Sequence, residues 1–170
     1  TWIRRMAQDR GANVKVTDTT TQYGCLGVWG PNARTTIQKI ADEPEAWTNE
    51  NFPFAALRNL TIKGVPVLAF RISYVGEQGW ELHFKYEDGL GLWDALYSLG
   101  VTPVGVETYA NSRRMEKSLR LQNADLLTEY NLFECDLARP KVKAADFHGK
   151  VAHLKFRERE NQPAILCTLV

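Results

Sequence analysis

Apolar and polar positions along this chain follow two different periods, and the changes of period mark out its elements. Trp2, Ile3 and Met6 have helical spacing that closes at Gly11. NVKVT (13–17) and YGCLGVWG (23–30) read as short strands on either side of a polar TDTTTQ connection. Gly30-Pro31-Asn32 then opens a helix, since proline is tolerated in a first turn. Ala33, Ile37, Ile40 and Ala41 supply its apolar face, and Glu43-Pro44 ends it. Residues 42–53 are acidic and proline-bounded without a period, and are expected as loop. RNLTI (58–62) and VPVLAFRIS (65–73) flank Lys63-Gly64 as a hairpin. Leu68, Phe70 and Ile72 share one face of its second strand, and Val67, Ala69 and Arg71 share the other. A glycine-rich turn and a further strand follow in RISYVGEQGWELHF (71–84). A helix over 86–99 places Leu92, Trp93, Leu96 and Leu99 on one side and stops at Gly100. Beyond it, VTPVG reads as a short strand, TYANSRRMEKSLR and KFRERE as helical stretches, and PAILCTLV as a terminal strand. This order, with its antiparallel hairpins, predicts an α+β fold in which an antiparallel or mixed sheet packs on helices.

Bulk composition narrows the functional classes. The 170 residues are 44% apolar and 24% charged, with a formal net charge of +1, so no basic surface for nucleic acid is indicated. No apolar run reaches the length of a membrane span, and the start of the chain has no signal-peptide pattern. Cys25, Cys135 and Cys167 lack metal-like spacing; Cys25 and Cys167 lie in apolar runs and are expected as buried, reduced thiols in a reducing compartment. The chain starts at Thr1 on a helical pattern and ends at Val170 inside an apolar strand. Both ends predict a fragment cut from a longer protein.

Familiar catalytic signatures are missing from the residues given: there is no GxxxxGK[ST], HExxH, CxxC or G-x-S-x-G. His83, His148 and His153 share no ligand spacing. What remains is YVGEQGWE (74–81). Glu81 stands between Trp80 and Leu82, where a strand favours Val or Thr. Gly76 and Gly79 bracket a tight turn that resets the strand register and is expected to bring Tyr74 and Glu81 to one site. A carboxylate can accept two parallel N–H bonds from a guanidine-like edge, as pterins and guanines present. Tyr74, Trp80 and Phe54 would supply aromatic walls for such a flat ring. The other reading of Glu81 is a solvated acid on a half-buried strand.

The ordered set LGVWGP (26–31), RISYVGEQGWEL (71–82), NSRRMEKS (111–118) and ADFHGK (145–150) resembles the folate-binding aminomethyltransferase family. That family includes the glycine-cleavage T-protein and the C-terminal folate regions of dimethylglycine and sarcosine dehydrogenases. The resemblance spans roughly residues 14–150, and Trp80 with the MEK at 115–117 is closer to the dehydrogenase branch. It implies the middle part of a T-protein-like fold. Residues 1–12 would end a preceding subdomain, 13–106 form an α+β folate-binding core, 107–160 a helical or irregular connection, and 161–170 the first strand of a truncated C-terminal barrel.

By the same resemblance Tyr74 matches a tyrosine that packs on folate, and Glu81 the glutamate that binds the pterin N–H edge. Phe54 (or Phe52) falls near another aromatic wall, and Trp80 flanks the site. Arg114 matches a motif arginine whose other reading is a structural pairing with Glu116 or a backbone carbonyl. A basic residue that T-proteins use just before the helix motif aligns with Ala110. The family's catalytic aspartate lies upstream of Thr1, and Asp18 is not its equivalent, so no catalytic residue is assigned and the fragment alone is expected to be inactive. The implied parent is a tetrahydrofolate-dependent one-carbon transfer enzyme that oxidises a small methylated amine and captures the methylene on folate. FAD would belong to an upstream flavin domain or subunit and not to this fragment. The alternatives are a glycine-cleavage aminomethyltransferase, or a non-catalytic regulatory or scaffold member of the same fold. No metal, nucleic acid or membrane enters this reading. A homodimer and a cytoplasmic location, or the mitochondrial matrix in a eukaryote, complete the expectations.

Overall fold

The computed structural model describes residues 2–138, 141–159 and 161–169. Thr1, Arg139, Pro140, Glu160 and Val170 lie outside the described residues, among them the last residue of the expected terminal strand and of the expected connecting region. Two compact units divide the chain: Thr1–Ser73 with Glu77–Pro103, and Tyr74–Gly76 with Val104–Val170.

In the first unit, α1 (Trp2–Asp9), β1 (Tyr23–Trp29), α2 (Ala33–Gln38), β2 (Leu57–Ile62), β3 (Val65–Phe70), β4 (Gly79–Lys85) and α3 (Gly89–Tyr97) follow in order. The four strands form one antiparallel sheet in the order β1-β4-β3-β2. Together with the helices this is the α+β arrangement that the sequence predicts. Lys63 and Gly64 both have positive φ, as a two-residue hairpin turn between right-twisted strands requires, and Asp42 accepts the Gly64 N–H at 2.8 Å.

One face of the sheet carries the core. Val28 of β1, Val67 and Ala69 of β3, and Trp80, Leu82 and Phe84 of β4 share a buried cluster with Ala33 and Ile37 of α2 and Leu92, Ala95 and Leu96 of α3. The cluster also takes in Trp47 and Phe52, from the stretch expected as loop. That stretch forms a short 3₁₀ turn over Pro44–Trp47, and both aromatic rings are wholly enclosed. Their spacing fits no helix or strand, because an irregular segment can bury a side chain without periodicity.

Several other expectations change in three dimensions. NVKVT and VTPVG form no strand, and the apolar residues after Pro163 pair with no sheet among the described residues. Trp93 faces outward and stacks on Tyr97 instead of joining the core; Ala95 takes that place. Cys25 and Cys167 are exposed and only Cys135 is buried. Cys25 lies on the side of β1 opposite Leu26 and Val28, so alternation turns it away from the core.

The second unit is held differently. Its described buried residues are Val75, Arg114, Glu134 and Cys135, two of them charged. A π-helical stretch (Thr108–Arg113) leads into a single helical turn, α4 (Arg114–Glu116), and α5 (Lys150–Arg157) follows later. The Arg114 guanidinium pairs with Asp125 and donates to the carbonyls of Ala110 at 2.7 Å and Leu119 at 3.1 Å. Glu116 pairs instead with Arg113 at 3.0 Å. Arg120 donates to the carbonyls of Cys135 and Ser118 at 3.0 and 2.9 Å. Glu134 accepts from the backbone and side-chain nitrogens of Asn131, both at 2.7 Å. Charged side chains that satisfy backbone groups organise this unit where the first relies on apolar burial.

Candidate functional site

Strand register builds the site. Glu81 lies on β4, an interior strand, with Gly27 of β1 as its partner on one side and Phe70 of β3 on the other. Two residues along, His83 faces Cys25 on β1 and Leu68 on β3. Both rows occupy the sheet face turned away from the core, because the residues that alternate with them along the strands (Val28, Trp80, Leu82, Ala69) are the buried ones. Glu81 is thus a carboxylate held on rigid backbone over a half-open surface, its side chain 29% exposed.

Trp29 completes the surface. It shares the outer face with Gly27, and its indole folds back so that a methyl group on Gly27 would overlap the six-membered ring. The indole N–H donates to the Ile72 carbonyl at 2.9 Å, which fixes the ring's position. Gly79 is part of the same fit: a side chain there would strike the Val28 carbonyl oxygen and the Trp29 ring. Gly79 therefore serves close approach, while Gly76, with φ of +72°, serves the turn. A flat aromatic surface lies over the residue paired with Glu81. Sequence reasoning passed over Trp29; the signal was the glycine two positions before it, which leaves room for a ring on the same face of the strand.

Gly27→Ala is expected to drive the indole off the strand and to cost about 1–3 kcal/mol, as overpacking does. The measurement is the tryptophan emission spectrum, read as the difference from the same change made in Trp29→Phe. A red shift that disappears in the Trp29→Phe background is the expected result. An unchanged spectrum would mean that the ring does not lie there.

The His83 Nε2 stands 3.4 Å from a Glu81 oxygen and 4.0 Å from the Cys25 sulfur. Partial burial, and then the negative charge of Glu81, push the Cys25 thiol up to about 11, so it stays protonated at neutral pH and is a poor nucleophile. Around Glu81 the open face offers carboxylate acceptor oxygens, an indole beside them, and the half-buried Phe70 and Leu68 as apolar neighbours.

The other residues expected at the site are spread out. Trp80 neighbours Glu81 in sequence but points to the opposite face. Its ring is wholly enclosed, with Trp47 and Phe52 at 5.4 and 5.8 Å and the guanidinium groups of Arg34 and Arg71 within 6 Å of its centroid. Phe54 is 72% exposed, just before β2. Tyr74 belongs to the second unit, where its hydroxyl donates to the Arg120 carbonyl at 2.8 Å and its ring packs on Tyr109 at 5.4 Å. Arg114 is the buried hub of that unit. Among the described helices, none is long and apolar enough to cross a membrane.

The GCVT N-terminal domain matches residues 1–143. Human mitochondrial dimethylglycine dehydrogenase is 34% identical over 98% of this chain, which spans 20% of that protein. An aminomethyltransferase of Symbiobacterium thermophilum is 30% identical over 93% of this chain, covering 44% of its own length. Among solved structures, the heterotetrameric sarcosine oxidase from Corynebacterium sp. U-96 in complex with pyrrole 2-carboxylate aligns with a TM-score of 0.46 at 20% identity. That alignment covers 60% of this chain and 52% of the other. The chain thus spans about a fifth of the dehydrogenase and under half of the aminomethyltransferase.

Proposed function

The chain belongs to the GCVT N-terminal domain family, and from that premise we propose that it supplies part of the folate chamber of a tetrahydrofolate-dependent one-carbon transfer enzyme. The observation that carries this reading is Glu81 on the open sheet face beside the Trp29 indole. Its two carboxylate oxygens accept the paired N–H groups of the pterin edge, a charge-assisted and orientation-specific contact. Trp29 and Phe70 flank the flat ring. His83, 3.4 Å from Glu81, holds the carboxylate in place. Trp80 acts from the far side of β4 by fixing the strand that carries Glu81. Phe54, exposed just before β2, adds a further aromatic surface, while Tyr74 and Arg114 act within the second unit, where Arg114 orders the backbone around it.

Bound tetrahydrofolate would supply the nitrogens that accept the one-carbon unit. The chain's own residues bind and orient it; positioning of this kind lowers a barrier by removing the entropy of encounter. The higher identity to dimethylglycine dehydrogenase favours a parent that oxidises a small methylated amine with FAD in a separate domain or subunit. A glycine-cleavage aminomethyltransferase is the second reading, supported by the aminomethyltransferase relatives.

The test titrates 5-formyltetrahydrofolate into the full-length protein and follows tryptophan quenching. Wild type is expected to bind, and Glu81→Gln to lose about tenfold or more in affinity, roughly 1.4 kcal/mol. Equal binding by both proteins, or by neither, would remove Glu81 from the folate site. Reduction of an electron acceptor on addition of dimethylglycine or sarcosine then separates the two parent activities.

A further inference from the structure

We infer that Cys25, Glu81 and His83 form a zinc-binding site on the open face of the sheet. The three come from two paired strands: Cys25 lies opposite His83, and Glu81 is two residues before His83 on the same face. Their donor atoms, one sulfur, one nitrogen and one oxygen, all fall within 4.8 Å of one another. Around a tetrahedral zinc, with bonds of about 2.3 Å to sulfur and 2.0–2.1 Å to nitrogen and oxygen, neighbouring donors stand roughly 3.3–3.6 Å apart. The observed separations are 3.4 Å between Glu81 and His83 and 4.0 Å between His83 and Cys25. Small side-chain rotations on a fixed backbone close the remaining gap.

The donor set chooses the metal. Thiolate and imidazole favour zinc over magnesium or calcium, which take oxygen ligands. Three protein ligands leave a fourth position for water, and partial exposure of all three side chains gives the ion a way in. Binding replaces the thiol proton with a metal–sulfur bond and releases that proton to solvent. The site shares Glu81 with the pterin contact but does not depend on it, since Cys25 and His83 play no metal role in that reading. Sequence spacing gives no hint of it, because the ligands sit 58 residues apart (Cys25 and His83) and only the strand register unites them.

Cobalt is the probe, added to full-length protein stripped with a chelator. The expected result is a near-ultraviolet thiolate-to-cobalt charge-transfer band with the intense visible bands of a tetrahedral ion, both lost on adding zinc. Cys25→Ser should abolish the charge-transfer band. His83→Gln should weaken cobalt binding by at least the roughly tenfold that even an outer-shell change can cost. Cys167→Ser, at the other exposed thiol, should leave the spectrum as it is. Absence of the band in wild type, or its survival in Cys25→Ser, overturns the site. Because no folate is present, this outcome is independent of the folate titration.

Discussion

Trp80→Ala is expected to remove about 3–5 kcal/mol of folding stability, the usual cost of truncating a large enclosed aromatic. Trp80 is the centre of an aromatic group with Trp47 and Phe52, and all three rings are shut off from solvent. Deleting the indole leaves a cavity between β4 and the 44–52 segment that well-packed neighbours fill only partly. Trp80→Phe separates packing from hydrogen bonding. It keeps a ring and deletes an indole N–H that has no hydrogen-bond partner among the described residues, so its cost should be nearer 1–2 kcal/mol. Urea denaturation of the two variants gives the comparison. If Trp80→Ala lost folate binding yet unfolded within about 1 kcal/mol of wild type, the ring would be a ligand wall and its core role would be wrong. A large loss of stability, with Trp80→Phe still binding folate, assigns it to the scaffold beneath Glu81.

The second large effect belongs to the other unit. Asp125→Ala is expected to cost about 3–5 kcal/mol, because it leaves the Arg114 guanidinium buried with backbone carbonyls and no counter-charge. The side chains of Arg114 and Asp125 are 8% and 21% exposed, so solvent screens the pair little. Asp125 also accepts the Leu121 N–H at 2.9 Å, and its loss opens the turn after Arg120. Asp125→Asn retains an acceptor for that N–H and for Arg114 but loses the charge, and should fall between wild type and alanine. Global unfolding is not the best readout for a unit with a small buried core. Amide hydrogen exchange over residues 114–126 should accelerate sharply in Asp125→Ala while the sheet of the first unit keeps its protection. Unchanged exchange there would mean that the ion pair contributes nothing to order in this unit.

Much of the first unit was legible from pattern because its signals are local. Alternation in VPVLAF and GWELHF, the Lys63-Gly64 turn and the Gly100 stop each depend on a few neighbouring residues, and those elements form as expected. The ordered motifs also carried the family, which the domain match over residues 1–143 shows. Where the signal was not local, the reading failed. Trp47 and Phe52 lie in an aperiodic acidic stretch and are buried only because the sheet and helices leave room for them. NVKVT has strand-like residues but no partner strand among the described residues, and a strand without a ladder does not form.

The sequence by itself determined the layered α+β class, the antiparallel hairpins, the family, and the choice of Glu81 as the residue to explain. Those follow from side-chain period, turn chemistry and motif order, which are properties of short stretches. Only the tertiary structure decided which neighbours Glu81 has. Two-residue alternation sends Trp80 to the core and Glu81 to the open face. Cross-strand register then sets Gly27, Phe70, Cys25 and His83 around it, and the bare α-carbon of Gly27 lets Trp29 lie down beside it. The register of β1 on β4 pairs residues fifty or more apart in the chain, Gly27 with Glu81 and Cys25 with His83 among them, and no local pattern encodes it.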